Sequence, residues 1–199
     1  MKTQMYFLVK LVSSVILIGM FLTVNACQSK EGKSDMEKKQ TPVSETTSES
    51  PSVALHTATF LGNLEALQQH IKYGSDLNKK DDYGSTPLII AATFGKTEIA
   101  KALINAGADL NLTSNDGSTP LHTAAFFCRT EIVKALLEKG ANKNIKNSYG
   151  STPREAVSTP FENVKGIYDQ ISKDLGPLGL KLNYTHLEMT RPIIAELLK

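Results

Sequence analysis

Apolar residues fall into a repeating grammar from Val53 onward, and that grammar predicts pairs of short helices. In one unit Leu88-Ile89-Ile90 and the small Ala91-Ala92 form a first run. Ile99, Leu103 and Ile104 follow at spacings of three and four, the mark of one buried helical face. One unit later, Leu121, Ala124 and Ala125 precede Ile132, Val133, Leu136 and Leu137. Thr86, Thr119 and Thr152 stand where a helix N-cap belongs, each followed by a proline (Pro87, Pro120, Pro153). Proline suits the first helical position, where a missing N–H costs nothing. Gly107 and Gly140 supply the left-handed residue that ends the second helix. The alanines let first helices approach closely. No single unit can bury both its faces, so the core is expected to run along a stack.

The units repeat by number as well as by pattern. Gly84, Gly117 and Gly150 recur every 33 residues, each opening the string Gly-Ser-Thr-Pro. Gly74, Gly107 and Gly140 keep the same period, as do Gly62 and Gly95, with Cys128 next in that series. Thr-Glu-Ile-Ala-Lys-Ala-Leu (97–103) returns as Thr-Glu-Ile-Val-Lys-Ala-Leu (130–136). A period of 33 with this grammar resembles the ankyrin repeat. The resemblance implies an all-α ankyrin-repeat solenoid of stacked helix-turn-helix units with β-turn or hairpin loops. Four repeats are expected within 52–183, at about 53–83, 84–116, 117–149 and 150–183. The first and last are degenerate caps: Val53 and Ala54 replace Thr-Pro, and Arg154 stands where Leu88 and Leu121 sit. Residues 184–199 lie outside the resemblance. The capping-box string Thr185-His186-Leu187-Glu188 there predicts one or two short terminal helices covering the last repeat.

The N-terminal quarter reads differently. Residues 1–26 carry Lys2, Lys10 and an apolar stretch from Leu11 to Val24, which is a targeting segment. Val24-Asn25-Ala26-Cys27 resembles the lipobox of bacterial lipoproteins, although Asn25 is an unusual occupant of its slot. That resemblance implies a signal peptide over 1–26 and a lipidated Cys27. It also implies a lipid-anchored protein of the bacterial cell envelope. Gln28, in place of the aspartate tied to inner-membrane retention, points to the outer membrane facing the periplasm. An uncleaved membrane anchor and ordinary secretion are the alternatives. Residues 28–51 hold only Met36 and Val43 as sizeable apolar side chains, too little to offset their ordering entropy, so 27–51 is expected to be a disordered tether.

Charge and chemistry narrow the function. The net charge is +2, with 22 bases against 20 acids, and two of the bases are in the leader. The remainder is neutral, which offers no basic face for nucleic acid. Catalysis needs convergent acids, bases or nucleophiles, and the chain shows no such constellation. No enzyme activity, cofactor, metal site or small-molecule substrate is expected. His56 and His122 occupy a slot that, by the resemblance, holds a structural histidine. Cys128 has no partner for a disulfide once Cys27 is acylated.

Ankyrin proteins usually bind partners through their loop tips and first helices, so the resemblance implies a monomeric scaffold or adaptor for a protein of unknown identity. An immunity-type neutraliser of a toxin or enzyme is the alternative, as is an accessory factor for a periplasmic enzyme such as a catalase. Tyr83, Asp116 and Tyr149 are the tip candidates. Leu61, Phe94 and Phe127 share one slot of the repeat, and Phe60 and Phe126 share its neighbour. These five side chains either form an exposed binding patch, or fold inward or lie under the terminal segment.

Overall fold

The computed structural model describes residues 50–199. The expected signal peptide, Cys27 and most of the expected 27–51 tether therefore lie outside the described residues. Nine α-helices follow one another among those described: α1 (Leu55–Leu61), α2 (Leu64–Tyr73), α3 (Pro87–Phe94), α4 (Thr97–Asn105), α5 (Pro120–Phe126), α6 (Thr130–Glu138), α7 (Pro153–Ser158), α8 (Phe161–Leu175) and α9 (Tyr184–Leu197). A 3-10 turn, Gly176–Leu178, follows α8, and no strand occurs among the described residues.

The predicted caps form. Thr86, Thr119 and Thr152 accept bonds from the backbone N–H of Ile89, His122 and Glu155. In the last two the third residue bonds back to the cap, His122 in one case and Glu155 in the other. The first unit, lacking Thr-Pro, starts α1 on Ala54 with no side-chain cap. Successive units are stitched at their tips. Asn78 Oδ1 accepts from Asp109 N–H at 2.8 Å, and Asn111 Oδ1 from Asn142 N–H at 2.9 Å. Each tip is a tight turn: Asp81 Oδ1 accepts from the N–H groups of Tyr83 and Ser85.

First helices α1, α3, α5 and α7 stack side by side, and second helices α2, α4 and α6 line up behind them. One buried cluster runs from Leu55 through Leu88, Leu103, Leu121 and Leu136 to Ile194 and Leu198. Leu103 and Leu136 are fully buried, as the predicted helix register requires.

The fourth unit departs from the expected plan. The helix next after α7 in the chain, α8, does not take the second-helix place. That place goes to α9, which packs on α7, α6 and α5. Arg154 Nε donates to Ala195 O at 3.3 Å, and Lys143 Nζ donates to Lys199 O, just past the end of α9. Residues 159–183 are thus an insert within the unit. The terminal segment is a single helix through Pro192, whose missing donor falls at an exposed position. It is capped by Asn183, which accepts from His186 N–H at 3.0 Å, two residues ahead of the capping string at Thr185.

Candidate protein-binding surface

The two groups of predicted residues occupy opposite ends of the first helices. Tyr83, Asp116 and Tyr149 precede α3, α5 and α7, while Leu61, Phe94 and Phe127 close α1, α3 and α5. Eight helical residues put those ends about 12 Å apart. The groups therefore border one helical face from two sides and do not converge.

At the tips, Tyr83 is exposed and Tyr149 half-buried. Asp116 has a local job. Its carboxylate accepts from Ser114 Oγ, Ser118 N–H and Ser118 Oγ, and its carbonyl accepts from Ser148 N–H at 2.9 Å. Burial, with Asp116 nearby as a second cause, raises the Tyr149 hydroxyl above the ordinary tyrosine range.

The aromatic row splits in two. At its first end, Leu61 is 62% exposed, and the half-buried rings of Phe60 and Phe94 meet edge-on, 4.8 Å between centroids. At its other end, the insert covers it. Tyr168 of α8 stacks on Phe126 at 4.6 Å, and its hydroxyl donates to Phe126 O at 2.6 Å. Phe127 is only 7% exposed, packed under Ile171 and Leu180. An unbroken exposed row therefore fails at Phe127, which no partner can reach while the insert is in place. Ile171, Ile167 and Leu180 need an apolar surface as much as Phe127 does, and each buries the other. Ile167, Leu175 and Phe94 pack round the same cluster, so the insert stops at Phe94.

Arg191 of α9 pins the insert down. It is 2% exposed and donates to Tyr168 Oη at 2.8 Å, Ala156 O at 3.0 Å and Thr159 O at 2.9 Å. Burial pushes the Tyr168 hydroxyl well above its ordinary range, so it stays protonated and donates to Phe126 O. Neither Tyr168 nor Arg191 obeys the 33-residue period, and nothing in the sequence marks them.

Periodicity does mark two cations among the candidates that sequence reasoning missed. Lys96 and Arg129 cap α4 and α6, one period apart, each just after the Gly62-type slot. Arg129 donates to Thr93 O at 3.1 Å and lies 5.9 Å from the Phe127 ring centroid.

The two histidines of the shared slot bond to neighbouring loops. His56 Nε2 bonds Lys79 O at 2.9 Å, and His122 Nε2 bonds Ser151 O at 3.0 Å. Burial holds His122 below the usual histidine pKa. Cys128 is buried in the left-handed region, φ 55°, the conformation of Gly95 in the unit before. Burial pushes its thiol up to about 11, too high for a reactive thiolate. Among the described residues no group of three or more His, Cys, Asp or Glu could hold a metal.

The model of the ankyrin-repeat family, in three copies, matches residues 55–147. This segment is a stack of ankyrin repeats. Two curated relatives, the proteins named protein phosphatase 1 regulatory subunit 27 of human and mouse, are each 48% identical over 40 residues. The likeness covers 20% of this chain, which spans 26% of their length. Beyond residue 147 the ankyrin geometry continues through α7 and α9, with the insert between them.

Proposed function

We propose that this chain is a protein-binding module that catalyses nothing itself and holds its partner at a membrane through a lipid on Cys27. The binding half of the proposal is supported by the ankyrin stack, and by the name of the two relatives, a regulatory subunit. The single observation that carries it is the open end of the aromatic row. Leu61 presents apolar surface that the fold does not bury, beside the half-buried rings of Phe60 and Phe94, and such surface marks interaction sites. The anchoring half rests on the Val24–Cys27 string alone. Mass spectrometry of the mature chain must find the acylated N-terminus at residue 27, and any other mature start removes the anchor from the proposal.

Binding is tested with a photo-crosslinking residue at position 61 of the full chain, followed by affinity measurement with the protein captured. Leu61→Asp should weaken that complex about tenfold or more, as loss of a hot-spot contact does. The melting temperature should hold, because Leu61 is already exposed. Unchanged affinity would place the contact elsewhere.

A further inference from the structure

Two cations, one period apart, border the open end of the aromatic row. The Lys96 side chain lies across Gly62, the residue after Leu61: a Cβ on that glycine would be 3.3 Å from Lys96 Cδ and 3.6 Å from Nζ. Arg129 repeats the arrangement one unit later. Its guanidinium lies across Gly95, the residue after Phe94, with Cζ 2.9 Å from where a Cβ would stand. Both glycines take a positive φ, 76° and 64°, the left-handed conformation that favours glycine. An apolar side chain followed by a cation thus occurs twice in register: Leu61 with Lys96, and Phe94 with Arg129.

Within the fold Arg129 is engaged through Nη2, which donates to Thr93 O at 3.1 Å, but its charge is not paired with an acid. No salt bridge among the described residues involves either one. Arg129 Nε is buried with no hydrogen-bond partner. The nearby acids in the first turns of α4 and α6 are engaged along their own helices, Glu98 with Lys101 at 3.4 Å and Glu131 with Lys134 at 3.2 Å. Glu65, in the first turn of α2, is the remaining acid of that edge.

From this juxtaposition we infer that the open end is a dock for an acidic protein segment. The segment's apolar side chains would seat on Leu61, Phe60 and Phe94, and its carboxylates would meet Lys96 and Arg129. The inference rests on the protein-binding reading and adds the chemistry of the partner. Stacked units are about 10 Å apart, the interaxial distance of packed helices. Three residues of an extended polyproline-type chain advance about 9 Å. Carboxylates at every third position with apolar residues between them therefore match both repeats of the motif.

The test uses fluorescein-labelled (Glu-Leu-Pro)4 and (Lys-Leu-Pro)4 peptides against the full chain, read by fluorescence polarisation. The acidic peptide should bind at least tenfold tighter than the basic one. Lys96→Glu should lower its affinity about tenfold at low salt. At 1 M salt, where charges are screened within about 3 Å, that difference should nearly vanish. Lys96→Glu should still fold, because a carboxylate is favoured at the start of α4; an unshifted melt confirms it. Equal binding of both peptides, or an acidic peptide indifferent to Lys96→Glu, overturns the inference. So does binding to phosphatidylglycerol vesicles with none to the acidic peptide. If these arms fail while Leu61→Asp still weakens the crosslinked complex, protein binding stands and only the acidic partner is lost.

Discussion

The third and fourth units begin alike and then part. From the cap Thr119 to the second-helix cap Arg129 is 10 residues; from Thr152 to Asn183, the cap of α9, is 31. In the third unit a tight turn joins α5 to α6. In the fourth, α8 and its 3-10 turn leave the stack, cross the ends of the first helices, and return to let α9 fill the second-helix place. A solenoid asks only that each unit present its two helices to the next, so extra chain between them is permitted. That chain must still bury its own apolar face. Here Ile167, Tyr168, Ile171 and Leu180 find the aromatic row, which closes one end of the surface and leaves the other open.

The frame shared by both units should be the costliest to damage. Leu103→Ala and Leu136→Ala each remove a fully buried side chain, with an expected loss of roughly 2–5 kcal/mol. Urea unfolding should show it, and nearest-neighbour coupling should spread the damage through the stack. Losses below about 1 kcal/mol at both sites would mean that these leucines do not carry the core.

A smaller effect separates the insert from the frame. Tyr168→Phe keeps the ring on Phe126 but removes the donor to Phe126 O and the acceptor for Arg191. Leaving those buried groups unsatisfied should cost about 1–3 kcal/mol. Amide exchange should speed up across α8 and the turn after it, while α3 and α4 keep their protection. Equal loss of protection everywhere would show the insert and the stack to be one cooperative unit.

How far each region was legible follows from the same contrast. Threonine caps, proline starts and the buried leucines recur every 33 residues, so the period alone divides 53–183 into four expected units. The period also carried the Leu61–Phe94–Phe127 slot. It could not say that Phe127 is covered, because the covering residues sit in the one aperiodic stretch. It did hold the Lys96–Arg129 pair, but a lysine and an arginine opening solvent-facing helices look ordinary until each is seen lying over a glycine. The place of α9 was hidden for a physical reason. Its buried face is Leu187, Thr190, Arg191 and Ile194, and a threonine and an arginine in those positions do not resemble the Ile-Val-Leu face of α6.

The smallest effect concerns Cys128, where the two units meet. At Gly95 the next unit's Arg129 fills the space beside the glycine. At Cys128 the corresponding cap is Asn183, whose side chain is turned to His186, and the thiol is free to lie against Leu187 O at 3.7 Å. A left-handed cysteine costs roughly 1–2 kcal/mol in backbone strain, partly offset by burying its sulfur. Cys128→Gly should therefore sit within about 1 kcal/mol of the parent, since relieved strain opposes lost packing and the added chain entropy of glycine. Gly95→Cys should lose more, roughly 2 kcal/mol, because strain there is joined by contact with the guanidinium. The two substitutions also differ in alkali. The folded thiol holds its proton to about pH 11, against an ordinary value of 9.0. Between those values the unfolded chain has lost a proton that the folded chain keeps, so stability falls as pH rises from 9 toward 11. Cys128→Gly should remove that fall from melts taken across the window. An identical alkaline slope in parent and variant would mean that the thiol is not buried as the fourth unit places it.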